Sequence, residues 1–183
     1  MAWQPETYYL KRNQHAPNNA YPVLVYRQCL PLPVTEDKAT EFLERHAWEK
    51  KGTWGHIGVR HFHPNVHECY GVIAGQSTML VGCGSDDPED AGRKIELLVG
   101  DVIVLPAGTG HCSLKSTKDY LYVGLYPAGG PMWRAELGKE GADVKALRQE
   151  VDNVALPAGD PVLGKAGPLM KLWVRSDTAV ASA

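Results

Sequence analysis

Short runs of β-branched, aromatic and other apolar residues recur through the middle of the chain, separated by turn residues. Between positions 54 and 126 there are seven such runs, at 57–63, 68–74, 78–81, 94–99, 102–105, 111–115 and 120–126. Short strands with close glycine, proline and aspartate turns are typical of a sandwich or a closed barrel. The pattern therefore predicts an all-β barrel core over residues 54–126, with the acidic segment 85–90 as an exposed loop.

The residues before this core predict an N-terminal arm, residues 1–53, with one strand and one helix. Residues 21–30 are β-branched and aromatic, which favours a strand. Thr35 is placed to cap a following helix, whose apolar residues recur at helical spacing. A cationic last turn and Gly52 predict where that helix ends.

The residues after the core predict a C-terminal arm, residues 127–175, and a frayed tail, residues 176–183. Prolines and glycines interrupt the chain directly after the core, and apolar spacing then predicts a short helix that ends near Asn153. There is no internal repeat, so we expect one domain over residues 1–183.

Composition excludes several classes of protein. The chain has 183 residues, of which 44% are hydrophobic and 22% charged, and its formal net charge is −2. These values fit a globular domain, and neither a basic stripe nor a long apolar run points to nucleic acid or to a membrane as a partner. Four cysteines without paired spacing, together with polar residues at the N-terminus, predict reduced thiols and a cytoplasmic protein.

Three histidines and one glutamate form the strongest chemical signal in the chain. His61 and His63 would lie on the same face of one strand, and Glu68 begins the strand that returns. His111 begins a later strand after the turn 106–110. Each residue alone is weak evidence, but their joint spacing predicts a site for one divalent metal ion.

Around these ligands the chain resembles the cupin superfamily. The first motif, residues 55–75, has Gly, five residues, His-x-His, four residues, Glu, six residues and Gly. The second motif, residues 100–115, has Gly, five residues, Pro-x-Gly, two residues and His, but ends in Lys115 where the motif has Asn. The resemblance implies a jelly-roll β-barrel with the metal at its open end.

A narrower resemblance, to the YjlB-like group of bacterial single-domain cupins, involves the two arms. It is carried by PNNAYPVLVY at 17–26, by the doubled His67-Glu68, and by DPVLGKAGPLMKLW at 160–173. This resemblance implies no particular substrate.

Four protein ligands leave two positions of a six-coordinate ion open to water, dioxygen or substrate. Mixed nitrogen and oxygen ligation suits Fe, Mn, Ni, Co or Zn without choosing among them. One hypothesis is therefore a metal-dependent enzyme, of dioxygenase or isomerase type, that acts on a small metabolite, for which an anion is one candidate. The other hypothesis is a non-catalytic module that binds a metal or a small molecule, because one fold hosts many functions.

Several neighbouring residues are candidates for further roles. By strand parity Lys115 would face the barrel mouth and bind an anionic substrate, although a surface lysine fits equally well. Tyr70 would line the pocket as a substrate-binding residue and, with Glu68, as a catalytic proton carrier, or would simply pack. Parity directs His67, Cys69 and Cys112 away from the metal, which leaves a ligand or proton-shuttle role for His67 as the minor alternative.

The N-terminal strand also predicts an assembly. A strand at 21–30 with a free edge would invite aggregation. We therefore expect a homodimer in which this strand adds to a sheet, either in its own chain or in the partner.

Overall fold

Two antiparallel β-sheets make up the protein in a computed structural model, which describes residues 3–174. The strands are β1 (Glu6–Tyr8), β2 (Val23–Tyr26), β3 (Trp48–Trp54), β4 (Glu68–Ala74), β5 (Gln76–Val81), β6 (Arg93–Leu98), β7 (Val102–Leu105), β8 (His111–Ser116) and β9 (Leu121–Pro127). The helices are α1 (Glu36–Glu44), α2 (Val144–Asp152) and α3 (Leu169–Leu172), with a 3₁₀ turn at Glu89–Ala91.

The strand order confirms the predicted all-β jelly-roll barrel. Within residues 3–174 the larger sheet has the order β1-β2-β7-β4-β9-β3 and the smaller has the order β6-β5-β8. The strand pairs are antiparallel, and the chain crosses repeatedly from one sheet to the other. The two sheets close over a shared apolar interior, which places β4 and β8 on opposite walls.

Strands β2 and β7 are buried along their whole length because both of their faces are covered. Val23 and Val25 face the barrel interior, where they join Ile103 of β7 and residues of the smaller sheet. Leu24 and Tyr26 face the other side and belong to a second apolar cluster. This double burial explains why both strands are continuous apolar runs rather than alternating ones.

The second cluster lies outside the barrel, where α1 and the C-terminal arm cover the larger sheet. Trp173 is fully buried there and stacks on Tyr21, with ring centroids 5.6 Å apart and an interplanar angle of 9°. Its indole N–H donates to the Pro22 carbonyl at 2.9 Å. The C-terminal arm is thereby attached to the beginning of β2.

A buried carboxylate, Asp160, reinforces this attachment. It accepts hydrogen bonds from the Tyr26 hydroxyl and from the backbone N–H groups of Val162 (2.8 Å), Leu163 (3.1 Å) and Leu169 (3.1 Å). Because Asp160 is completely buried, these donors replace the water that an exposed carboxylate would have. The sequence analysis did not identify this residue.

The end of helix α1 differs from the prediction. Thr35 caps the helix as expected, since its hydroxyl accepts from the Lys38 N–H at 3.3 Å. The helix ends at Glu44, however, and residues 48–52 belong to β3, which pairs with β9. Ala47 adopts a positive φ of 61° between the two elements, and Trp48 is buried in the outer cluster. Sheet pairing and tryptophan burial therefore outweigh the helical spacing.

Other expectations concern the two arms and the first predicted strand of the core. The N-terminal arm does not merely flank the barrel, because it supplies β1, β2 and β3 of the larger sheet. The predicted strand 57–63 is reduced to isolated bridges at His61 and Phe62. Helix α2 is followed by Asn153, as predicted. The predicted frayed tail, residues 176–183, lies outside the described residues.

The surroundings of β2 bear on the predicted assembly. β2 pairs with β1 on one side and with β7 on the other, so it has no free edge within the chain. The argument from an exposed strand therefore no longer applies, and the homodimer stays a prediction. None of the helices within residues 3–174 is long and apolar enough to cross a membrane.

Replacing Asp160 tests the attachment of the C-terminal arm. Asp160→Ala should lower the free energy of unfolding by about 3 kcal/mol, because it leaves a buried hydroxyl and three N–H groups without an acceptor. Urea unfolding measures the change, and Asp160→Asn, which keeps one acceptor oxygen, should fall between the alanine variant and the wild type. Replacing the exposed Asp119 by Ala is the control and should change stability by less than about 0.5 kcal/mol. Equal effects at the two positions would contradict the assigned role of Asp160.

Candidate metal centre

Three histidine side chains converge at one end of the barrel. One ring nitrogen each from His61, His63 and His111 lies within 4.8 Å of the others, and these three residues form a group that could hold a metal ion. Metal–nitrogen bonds are about 2.1 Å long, so ligand atoms a few ångströms apart can share one cation. The structure thus brings together the three histidines that the sequence predicted.

The turn before His111 depends on two glycines. Gly108 has a φ of 80°, which side chains rarely tolerate, and its N–H donates to the His63 carbonyl at 2.8 Å. A Cβ atom on Gly110 would lie 2.3 Å from the Cys83 carbonyl oxygen. The spacing of the second motif therefore reflects the close approach of this turn to neighbouring backbone.

Each of the three histidines is oriented through its Nδ1 atom by a backbone carbonyl. The pairs are His61 with Val59 (2.8 Å), His63 with Arg134 (2.9 Å) and His111 with Thr109 (2.9 Å). Because a carbonyl only accepts hydrogen bonds, Nδ1 must carry the proton, and in a neutral ring Nε2 then presents its lone pair. Such outer hydrogen bonds are typical of histidines that bind metals.

Glu68 lies beside this group as the first residue of β4. Its Oε2 atom is 3.5 Å from the His63 Nε2 and 3.3 Å from the His111 Nε2. The same Oε2 is buried and has no hydrogen-bond partner, whereas Oε1 accepts from the Tyr126 hydroxyl. A buried carboxylate oxygen without a donor is costly, and a bound cation would compensate for that cost. The donor set therefore fits a metal ion.

The site also shifts the pKa values of its own groups. Burial, reinforced by the charge of His111, lowers the pKa of His61 to about 4, so this ring is neutral at neutral pH. Burial works against a charged His63, but the Glu68 carboxylate outweighs it and raises the pKa of His63. Burial likewise opposes ionisation of Glu68, yet the charge of His63 and the closeness of the His63 and His111 rings hold its pKa well below the usual value.

Tyr70 lies in the site as predicted. Its hydroxyl is 3.0 Å from the His111 Nε2, and its ring packs against Tyr122 with centroids 4.0 Å apart. Burial, together with the nearby Glu68 charge, raises the pKa of Tyr70 well above the usual value. Tyr70 is therefore a neutral hydrogen-bond donor directly beside the histidine group.

The sequence analysis missed an aromatic wall on the other side of the site. Tyr126 and Trp133 stack with centroids 5.0 Å apart and an interplanar angle of 6°, and Trp54 meets Trp133 edge-on at 6.2 Å. The cavity has a volume of about 170 Å³. Its lining residues are Trp54, Ile57, His61, His63, Glu68, Tyr70, Tyr122, Tyr126, Trp133 and Ala135. Tyr122 and Tyr126 share strand parity, which could have predicted that both face the cavity. Trp133 belongs to an irregular segment, where no such pattern exists.

Lys115 does not reach this cavity. It is exposed and lines a separate surface depression with Gln76, Thr78 and Glu96. The strand register explains the difference, because Met79 pairs with Ser113 while the preceding Thr78 pairs with Lys115. The bulge at Leu114 reverses the parity on which the prediction depended.

His67 and the two neighbouring cysteines point away from the metal group. The His67 Nδ1 accepts the Ala107 N–H at 2.9 Å, and its ring lies against Trp173 with centroids 4.8 Å apart. Cys69 packs in the outer cluster and Cys112 packs with Leu80 in a small separate one. None of the three lines the cavity formed by the described residues.

A two-sheet antiparallel barrel with three converging histidines beside a glutamate is the cupin type of fold. No family model matches the chain. The uncharacterized protein YjlB of Bacillus subtilis (strain 168) is 31% identical over 176 residues, which are 96% of this chain and 100% of that protein. The chain therefore belongs to the YjlB family.

Solved structures give more distant matches. A structure of the DMSP lyases RdDddP and RnDddQII is 18% identical, with a TM-score of 0.36, over 67% of this chain and 46% of that one. The 7S globulin of Momordica charantia is 17% identical, with a TM-score of 0.35, over 69% and 34%. A variant of Bacillus subtilis oxalate decarboxylase is 20% identical, with a TM-score of 0.34, over 64% and 28%. The chain thus spans less than half of each of these proteins.

The buried His67 generates a prediction about pH. Burial lowers the pKa of His67 to about 4, below the 6.5 expected in the unfolded chain. Between these two values the unfolded state binds the proton more readily, so stability is lost as the pH falls from about 6.5 towards 4, by up to about 3 kcal/mol from this residue. In His67→Gln this part of the acid sensitivity should disappear.

Urea unfolding at pH 7.5 and pH 5, with chelator present throughout, measures this difference. The other histidines are common to both proteins, so the comparison of variant with wild type isolates His67. Replacing the exposed His56 by Gln provides the matched control and should retain the wild-type acid sensitivity. If His67→Gln loses as much stability on acidification as the wild type, the assignment of a neutral buried imidazole is wrong.

Proposed function

We propose that the protein binds one divalent metal ion through His61, His63, His111 and Glu68. The observation that carries this proposal is the convergence of three oriented imidazoles, two of which lie within 3.5 Å of a buried carboxylate oxygen that has no donor. Three neutral imidazoles and one carboxylate would leave a divalent ion with a net charge near +1. A site of this kind keeps open positions, which is the pattern of catalytic rather than structural metals.

We further propose that the protein is a metal-dependent enzyme, of dioxygenase or isomerase type, that acts on a small molecule. A bound ion would supply either redox chemistry, in the case of iron, or Lewis-acid polarisation, in the case of manganese or zinc. The cavity beside the histidines supports this proposal, because it gives a small molecule access to the metal position.

The chain's own residues have distinct tasks in this proposal. Tyr70 donates a hydrogen bond at the metal position and stays neutral at neutral pH. Tyr126 holds one oxygen of Glu68, which directs the other oxygen towards the histidines. Trp133 covers Tyr126 and limits the access of water from that side.

Metal content is the direct test of the site. Protein purified without chelator should contain about one Fe, Mn, Ni, Co or Zn per chain by elemental analysis, and His111→Ala should retain no stoichiometric metal. The exposed His56→Ala variant should keep the wild-type content. The metal found also selects the reaction to assay, namely oxygen uptake for iron and isomerisation for manganese or zinc. Metal-free protein that takes up none of these ions would refute the proposal.

Tyr126→Phe tests how Glu68 is held. The variant removes the hydroxyl that binds Oε1, so the carboxylate loses its orientation and the metal should bind about tenfold or more weakly. Isothermal titration with zinc measures the affinity. Tyr120→Phe removes a hydroxyl from another buried tyrosine, one that does not line the cavity, and should leave the affinity unchanged. A similar loss in both variants would show that the Tyr126 hydroxyl has no specific role.

A further inference from the structure

The cavity beside the metal position is walled by aromatic rings. Five of its ten lining residues are aromatic, namely Trp54, Tyr70, Tyr122, Tyr126 and Trp133. One part of this wall is the parallel stack of Trp133 on Tyr126, and another is the close packing of Tyr70 on Tyr122. Trp54 contacts Trp133 in the first part and Tyr122 in the second. Aromatic walls of this kind favour contact with another flat ring.

Within residues 3–174, the same walls offer neither a lysine nor an arginine to an anionic ligand. Among the described residues that line the cavity there is no lysine or arginine, and Lys115 lies in a different depression. Burial raises the pKa of Tyr122 and of Tyr126 far above neutrality, so both hydroxyls stay uncharged. A polyanionic ligand would therefore meet the Glu68 carboxylate and uncharged tyrosine and tryptophan rings, without a lysine or arginine from the described lining residues to pair with.

The size of the cavity suits a ligand with a single ring. Its volume of about 170 Å³ is close to the roughly 150 Å³ of an engineered apolar cavity that takes up benzene. One six-membered ring with small substituents fits such a volume. The open end of the site leaves room for substituents that point towards solvent.

The wall is also fixed in place before any ligand binds. The Asn65 side chain donates to the Met132 carbonyl at 2.8 Å and accepts the Arg134 N–H at 3.0 Å, on either side of Trp133. The Arg134 guanidinium forms two hydrogen bonds to the Glu150 carboxylate in helix α2, at 3.0 and 2.8 Å. A pre-formed wall reduces the entropic cost of binding, so Trp133 is well placed to determine specificity.

We propose that this cavity takes a single-ring aromatic ligand that carries a metal-coordinating oxygen, such as a phenol or a catechol. The inference rests on the proposed metal site. The ring lies against the aromatic wall, its oxygen occupies a coordination position that the protein leaves open, and the Tyr70 hydroxyl is the nearby hydrogen-bond donor. This chemistry replaces the anionic metabolite that a Lys115 contact would have selected.

Binding of 4-nitrocatechol to zinc-loaded protein tests the inference, because zinc supports no redox reaction and the probe changes its absorption spectrum on coordination. Oxalate, a small chelating dianion without a ring, is the comparison ligand. After correction for the affinity of each for free zinc, 4-nitrocatechol should bind at least about tenfold more tightly than oxalate. Trp133→Ala should weaken the binding of 4-nitrocatechol about fivefold and should change the affinity for oxalate by less than about twofold.

Two further variants keep the test decisive. Trp133→Leu retains an apolar side chain, in case the alanine variant is unstable, and should also lose affinity for the ring. Trp3→Ala removes an exposed tryptophan that does not line the cavity and should change the affinity for neither ligand. Two results would overturn the aromatic preference without affecting the proposed metal site. One is equal corrected affinities for the two ligands, and the other is an unchanged affinity for 4-nitrocatechol in both Trp133 variants.

An absence of metal binding would give a different experimental result. Protein that retains no zinc in the titration overturns the proposed function. Quenching of tryptophan fluorescence by p-cresol in the metal-free protein then decides the aromatic part separately. Quenching that saturates in the wild type and is lost in Trp133→Ala supports a ring-binding cavity, and no saturable quenching overturns it.

Discussion

Backbone hydrogen bonds between residues 57–63 and residues 108–113 join the two halves of the site. His61 and His111 exchange N–H···O bonds of 3.1 and 2.8 Å, the His63 carbonyl accepts from Gly108, and the Ile57 carbonyl accepts from Ser113. These contacts connect segments that are about 50 residues apart in the sequence. The convergence of the histidine rings depends on them, since residues 57–63 have no regular strand to hold them in position.

Two buried carboxylates show how differently the fold treats negative charge. Asp160 is surrounded by one hydroxyl and three N–H donors, and it attaches the C-terminal arm to the barrel. Glu68 receives one hydroxyl and leaves its second oxygen facing two imidazoles without a hydrogen bond. The protein itself supplies the hydrogen-bond donors of the Asp160 carboxylate, whereas a cation would stabilise the Glu68 carboxylate. The number of donors around each carboxylate therefore distinguishes the structural Asp160 from Glu68 in the proposed site.

The histidine group beside Glu68 and most barrel strands could be predicted from the sequence because local spacing encodes them. β7 was predicted with its observed bounds, since its apolar run is buried on both faces. The end of α1 could not be predicted, because burial of Trp48 in a distant cluster decides it. The position of Lys115 depends on a β-bulge, and the position of Trp133 depends on hydrogen bonds with Asn65. Neither feature appears in the periodicity of apolar residues, so neither position could be predicted.

The segment that carries Trp133 also carries the carbonyl of Arg134, which orients the His63 ring. A movement of the backbone at Trp133 would therefore also move the acceptor that orients His63. The proposed ring-binding surface and the proposed metal site share one stretch of backbone, so we expect their binding free energies to be thermodynamically linked. Such linkage is reciprocal: whatever metal binding does to the affinity for the organic molecule, that molecule does to the affinity for metal.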